Sequence, residues 1–428
     1  MLPDSVRLPA TLIVFALSML GVFTRPRRWP EAVWTCLGAA VLLLLQLVSP
    51  RDVLQVVQTT EEPLLFLLAL LLLSALLERS GFFEWAALES ARRARGRTAA
   101  LYRNVFVLGV VCTALLSLDT TAVILTPIVL ALVRRLNLTA RPFVFACAFV
   151  ANTASLSFPF SNLTNLLFVD AFKLGFVSFA ARMLLPSLVA SGINYWLFRR
   201  LFRADLPATF EVAALPEAAS VIPHRGFFHT ALAVLGIVCV GYFVARGIGL
   251  QPSSVGLLGA GMLLLAGLLT GRVDVHLWRG ISWSIFPFVI GLFVVVQAVQ
   301  NLGLDRWSAL LVAKLPSSPW LLAAGSALLS ALGANLLNNL PAALVARAAL
   351  HTQHVPGAGV YGALLGVNLG PNLIVTGSLA TMLVLSKTRE QADAPSNAEV
   401  FWIGLRVTPW VLLGASLALA LTFVLVPG

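Results

Sequence analysis

Charge is what this sequence has least of. Only 11% of its 428 residues are charged, whereas a soluble domain carries about 25%, and 59% are apolar. That balance excludes a soluble enzyme. Lysine is nearly missing, present only as Lys173, Lys314 and Lys387, so the net charge of +11 rests on arginine. No basic, aromatic-interleaved patch stands outside the short loops, and no nucleic-acid partner is expected. The cysteines Cys36, Cys112, Cys147 and Cys239 stand alone in apolar segments. Without a CxxC or Cys/His spacing they indicate neither a disulfide framework nor a metal site. GxxxxGK[ST] is absent, as are HExxH and GxSxG, so neither a Walker-type ATPase nor an intramembrane hydrolase is indicated. We expect no enzyme and no cofactor. Uphill work by such a chain would draw on an ion gradient or a separate ATPase.

What is present is apolar sequence in long runs. They fall at about 8–24, 32–49, 63–78, 101–117, 121–133, 142–170, 177–198, 227–246, 252–270, 281–304, 319–337, 341–350, 358–386 and 401–426. At about 20 residues per crossing, the chain has room for roughly ten transmembrane helices. The first run is followed, not preceded, by its basic residues Arg25, Arg27 and Arg28 and lacks an A-x-A site. It is expected to be a retained helix rather than a signal peptide.

Two pairs of runs are too short to cross separately. One pair flanks the polar tip Ser117-Leu118-Asp119-Thr120-Thr121, the other Asn335-Leu336-Leu337-Asn338-Asn339, and each is expected to form a re-entrant helical hairpin. Two further runs carry polar breaks. In 142–170 these are Asn152-Thr153-Ala154-Ser155 and Ser161-Asn162-Leu163-Thr164-Asn165; in 358–386 they are Asn368-Leu369-Gly370-Pro371-Asn372 and Thr376-Gly377-Ser378. Gly, Pro and small polar residues inside an apolar span indicate an unwound helix, tolerated at membrane depth only where protein or a water-filled cavity surrounds it.

The layout occurs twice. The expectation is an all-α membrane protein of two inverted repeats, each of about five transmembrane helices with a re-entrant hairpin and a broken helix. Residues 1–200 form the first repeat and 227–428 the second; the arginine- and proline-bearing stretch 201–226 is a cytoplasmic linker. With the amino terminus outside, the loops expected in the cytoplasm collect most first-half arginines, among them Arg25, Arg79, Arg92, Arg134 and Arg199. Arg7, Arg51, Lys173 and Arg182 fall outside. The positive-inside rule favours that orientation; the second half is indecisive.

Asp119, between apolar arms, is the carboxylate on which a mechanism would turn. Intramembrane ionisable residues usually mark a proton or ion path, so Asp119 is the candidate carrier of a coupling proton. Capping of the second arm, with acceptance from the amides near Thr121 and Ala122, is the structural alternative. Thr120, Thr121, Asn152, Ser161, Asn162, Thr164, Asn165, Asn335, Asn338, Asn339, Asn368, Thr376, Gly377 and Ser378 form the candidate solute-binding set. Its neutral donors and acceptors suit a hydroxylated neutral solute or a cation. Cys112 and Cys147 read as small apolar filler. Glu78 to Arg103 reads as an amphipathic helix along the cytoplasmic interface.

Several segments resemble the ArsB arsenite efflux family of the wider ion transporter superfamily. They are Ser80 to Leu88, Asp119 with Ile124-Leu125-Thr126-Pro127-Ile128, Thr153-Ala154-Ser155-Leu156 with Ser161-Asn162-Leu163, Asn338-Asn339-Leu340-Pro341, and Leu369-Gly370-Pro371 with Gly377 to Thr381. The resemblance implies an inner-membrane, multi-pass exporter of arsenite and antimonite, exchanging a small inorganic solute for protons. It also implies a soluble ATPase subunit and a second copy of the chain (a homodimer) as candidate partners beside the lipid bilayer. A sodium/proton antiporter or carboxylate carrier of the same superfamily is the alternative; a channel, with no coupling, is a third. The chain departs from the family pattern at Leu118, where an Asn precedes the hairpin Asp, at Asn152 and Asn368, where acidic residues are usual, and at Asn372, where a Lys is frequent. Asp119 is left as the main titratable candidate.

Overall fold

In the computed structural model residues 4–26, 29–212, 215–274, 276–316, 318–388 and 394–425 are described, so Arg27 and Arg28 of the first basic loop lie outside them. Every regular element among these residues is helical, apart from one isolated bridge between Arg97 and Thr209. The first half runs α1 (Asp4–Thr24), α2 (Glu31–Leu44), α3 (Pro50–Arg79), α4 (Phe82–Arg93), α5 (Thr98–Leu115), α6 (Leu118–Thr120), α7 (Thr126–Arg135), α8 (Arg141–Ala154), α9 (Leu163–Ala171) and α10 (Phe176–Leu201). The second runs α11 (Arg225–Val244), α12 (Pro252–Leu269), α13 (Leu277–Gly280), α14 (Ile285–Gln300), α15 (Leu304–Ala313), α16 (Pro319–Leu337), α17 (Asn339–Thr352), α18 (Gly357–Leu369), α19 (Leu379–Ser386) and α20 (Asn397–Leu425). Among the described residues nine helices are long and apolar enough to cross a bilayer, and α2 is apolar but shorter; α5 and α16 are among the nine, so the expectation that the first arms of both hairpin pairs are too short to cross is corrected. Large apolar side chains such as Leu44, Leu269 and Leu336 stand exposed on the outer faces, as lipid contact requires.

The helices pack in two sets. In one, α14 lies against α2 and α12 against α3, with α1 on α2 and α11 on α12. The other joins α5 to α8, α16 to α18 and α10 to α20. In the α16–α18 pair a Cβ added at Gly362 would stand 2.3 Å from the Ala323 carbonyl oxygen, and one at Gly366 2.1 Å from that of Ala327. Only glycine lets these backbones approach so closely, which is how helices associate where lipid is as apolar as leucine.

The expected amphipathic helix from Glu78 to Arg103 is corrected to the shorter α4. Gly81, at φ +82°, ends the run of α3, and Arg95 and Gly96, both at positive φ, separate α4 from α5. Within α4, Phe83, Ala87, Leu88 and Ala91 are buried while Glu84, Arg92 and Arg93 face out. The connection between the halves is fastened to this region. Phe210 N donates to the Gly96 carbonyl (2.9 Å), Thr98 N to that of Ala208 (3.3 Å) and Arg92 Nη1 to that of Pro216 (3.2 Å), while Phe202, Phe210 and Leu215 are buried.

Gly366→Leu forces a side chain into the α18–α16 backbone contact and is expected to destabilise the protein by about 1–3 kcal/mol or to abolish its folding. Gly261→Ala, where an added Cβ meets nothing within 4 Å, is expected to leave thermal unfolding in detergent unchanged. Equal unfolding temperatures for the two variants would contradict the packing described.

Candidate functional site

The two broken helices meet, and they are built alike. Each pauses in a short 3-10 turn, Pro159–Ser161 in the first and Val375–Gly377 in the second. Each turn is flanked by extended residues, Phe158 (φ −136°) and Asn162 (φ −152°) in the first, Ile374 (φ −134°) and Ser378 (φ −139°) in the second. Asn152 and Asn368 sit at equal distances before these caps, in the last turns of α8 and α18.

Side chains then cross from one break to the other. Asn152 Oδ1 accepts from Ser378 Oγ (2.8 Å) while its Nδ2 donates to Thr381 Oγ1 (3.0 Å) and Asn372 Oδ1 (2.9 Å). Asn368 does the converse: its Oδ1 accepts from Asn162 Nδ2 and Thr164 Oγ1 (2.9 Å), and its Nδ2 donates to Asn165 Oδ1 (3.0 Å) and the Leu364 carbonyl (3.0 Å). All of these side chains are buried. Freed backbone groups are met within each break. Asn165 Nδ2 donates to the carbonyls of Ser155 (2.7 Å) and Phe158 (2.9 Å), and Asn162 Oδ1 accepts from Thr164 N (3.1 Å).

The tip carrying Asp119 lies to one side of this crossing. The cap of α6 is Ser117, whose Oγ accepts from Thr120 N (3.1 Å), so the alternative of Asp119 as the cap is set aside. Beyond α6 the chain makes a π turn at Thr121–Leu125, with Thr126 Oγ1 donating to the Thr121 carbonyl (2.7 Å). Such turns break the regular ladder and are frequent at functional sites. Asp119 is half-buried and makes no hydrogen bond or ion pair with a described residue. Its carboxylate lines a cavity of about 110 Å³ with Thr120, Ser74, Ser282, Ser284 and the Arg25–Glu31 ion pair; Leu71, Ile124, Phe288 and Leu379 supply apolar wall. Ser74 and Thr120 share a 2.7 Å hydrogen bond. Leu379 follows Ser378 directly, so the cavity wall abuts the crossing.

The candidate residues thus separate into groups. Asn152, Asn162, Thr164, Asn165, Asn368 and Ser378 form one network, and Asp119 and Thr120 line the cavity. Others fasten neighbouring elements: Thr121 to Thr113 (2.7 Å), Ser161 to the Ala114 carbonyl (2.6 Å), Asn335 to the Gly370 carbonyl (2.9 Å) and Asn338 to that of Thr376 (3.0 Å). Asn339 is buried and its side chain makes no hydrogen bond with a described residue; Thr376 is half-buried. Gly377 is required by the close approach of Pro371, whose Cα an added Cβ would meet at 2.8 Å. Outside the candidate set drawn from the sequence, Ser74, Ser282, Ser284, Glu31, Thr153, Asn372 and Thr381 also belong to the site, and Arg25, which reads as loop charge, lines the cavity. Among the described residues no group of three or more His, Cys, Asp and Glu could hold a metal ion.

A family model described as arsenical pump membrane protein matches residues 10–421. An arsenical pump membrane protein of Escherichia coli is 32% identical over 421 residues, covering 95% of this chain and 97% of its own. That of Escherichia coli strain K12 is 33% identical over 427 residues, covering 96% and 99%. A crystal structure of the Alcanivorax borkumensis YdaH transporter superposes with a TM-score of 0.57 at 17% identity, over 92% of this chain and 97% of that one. It supports the fold.

The crossing makes a direct expectation for stability. Asn152→Ala and Asn368→Ala each strand buried partners and are expected to cost about 1–3 kcal/mol. Asn152→Ala combined with Ser378→Ala should cost less than the sum, with a coupling energy of about 0.5–3 kcal/mol in denaturant unfolding. Strict additivity would show that the two side chains do not meet.

Proposed function

The chain belongs to the arsenical pump membrane protein family, and on that premise we propose that it is a secondary transporter exporting trivalent arsenic and antimony hydroxides across the inner membrane in exchange for protons. The observation that carries the reading is the Asp119 carboxylate, without a partner among the described residues in a small cavity otherwise walled by hydroxyls, one ion pair and apolar side chains. A carboxyl in such a place gains and loses a proton as access changes, and its charge decides whether a neutral solute or a proton is held. Ser74, Thr120, Ser282 and Ser284 offer the donors and acceptors a small hydroxide needs.

The two matching breaks support reading the halves, 1–200 and 227–428, as inverted repeats whose broken helices cross near mid-membrane. In this reading the α5–α7 and α16–α17 pairs are re-entrant hairpins and 201–226 is a cytoplasmic linker. Asn162 then caps one half-helix through its side chain, and Ser378 stands at the amino end of the other, both starting at the centre. The neutral network fixes the breaks, and the proton travels on Asp119. A soluble ATPase subunit and a second copy of the chain are the partners this reading admits.

Arsenite uptake into everted vesicles, driven by an imposed proton gradient, tests the proposal. Wild-type protein is expected to accumulate arsenite, and Asp119→Asn to fall to the level of empty vesicles while remaining folded by thermal unfolding. Undiminished uptake by the variant would remove Asp119 from coupling. Protection of cells against sodium or lithium but not arsenite would move the substrate assignment to the antiporters.

A further inference from the structure

Helix α14 has a cavity at each end. Phe288, near its amino end, lines the Asp119 cavity. Gln300, its last residue, lines a second cavity of about 370 Å³, walled also by Ala171 at the end of α9 and by Arg347, Ala348, His351 and Thr352 on α17. From Phe288 to Gln300 the helix rises about 18 Å, so the second cavity is a separate place.

Arg347 and His351 stand four residues apart on α17 and project from one helix face. Arg347 is half-buried, and its guanidinium makes no hydrogen bond or ion pair with a described residue. Asp170, whose charge acts on Arg347 from α9, is itself bonded to Lys173 (3.1 Å). Across the cavity Gln300 Nε2 reaches the Leu344 carbonyl only at 3.5 Å, which leaves its second N–H available. Thr352 is occupied, donating to the Ala348 carbonyl at 3.0 Å. A guanidinium drawn partly out of water, whose nearby counter-charge Asp170 is shared with Lys173, is under-compensated, and its planar fork fits two oxygens of a phosphate, sulfate or carboxylate.

We infer that this second cavity binds a small oxyanion of the phosphate class, gripped in bidentate fashion by Arg347, with Gln300 and His351 donating to its remaining oxygens. The bound anion bridges α17 to α14. Free inorganic phosphate and the headgroup of an anionic lipid share this chemistry.

The test uses full-length protein, delipidated in neutral detergent, with unfolding temperature as the readout. It is titrated with sodium phosphate and separately with phosphatidylglycerol, each against sodium chloride at matched ionic strength. At least one ligand is expected to raise the unfolding temperature of the wild type beyond the chloride control. Arg347→Gln is expected to weaken that response by about tenfold or more, and Arg347→Lys by less. A phosphate response identifies a soluble anion, and a response to the lipid alone a headgroup; either supports the proposal. No response beyond chloride, or an unchanged one in Arg347→Gln, overturns it. If Arg347→Gln does not fold, Gln300→Leu serves in its place with the same two readings. Because the readout is binding, failure here leaves the arsenite transport test untouched.

Discussion

The structure depends on one constraint: backbone released from a helix inside a membrane must find partners in the protein. Two unwound segments lie in this chain, and water in a bilayer core cannot satisfy them. Each break is closed partly by its own side chains, as where Asn165 binds the Ser155 and Phe158 carbonyls. The other part comes from the opposite break. Asn152 reaches the cap of α19 and Asn368 the cap of α9, so neither can hold its geometry without the other. The α16–α18 contact, tight enough to exclude a methyl group at Gly366, gives the second break a rigid support.

The amides at these two positions follow from the same requirement. Asn152 and Asn368 each accept through Oδ1 and donate through Nδ2 at once. An ionised carboxylate only accepts, and in either place it would forfeit both hydrogen bonds that Nδ2 donates, setting lone pairs against Asn372 Oδ1 in one case and against Asn165 Oδ1 and the Leu364 carbonyl in the other. An acidic residue at either position would therefore need a different set of partners. Here the crossing is neutral. On the proposed reading, titration is confined to the adjoining cavity, where Asp119 has space and few partners.

Much of this was legible because polar residues inside apolar runs are conspicuous. Asn152, Asn162, Asn165, Asn368 and Ser378 stood out by contrast, and the structure joins them across more than two hundred positions of sequence. What was not legible is what looks ordinary in one dimension. Ser74 lies in the long apolar helix α3, where a single serine is unremarked, yet its hydroxyl meets Thr120. Arg25 reads as loop charge and Glu31 carries no signal of its own, and only the packing of α14 and α3 brings them into the Asp119 cavity. The limits of α4 were missed because charge and amphipathic pattern continue past Gly81 and Gly96, whereas the backbone at positive φ does not.

The likeness of the two halves sharpens the question of how a repeated layout acquires direction. At the first tip the cap is Ser117, and the second residue after it is Asp119; at the other the cap is Asn338, and the second residue after it is Leu340. Asp119 faces a cavity with hydroxyls and an ion pair set in an otherwise apolar wall. Leu340 is buried in the hydrophobic cluster that also holds Leu292, Val295 and Val296 of α14 and Leu344 of its own helix. The same place in the layout thus holds an ionisable group at one tip and a plug at the other. If both tips bore a carboxylate, a solute would meet two comparable sites and neither would dominate coupling. On the proposed reading, leucine at one tip leaves a coupling proton a single carboxyl on which to ride, so the two tips, alike in layout, do different work.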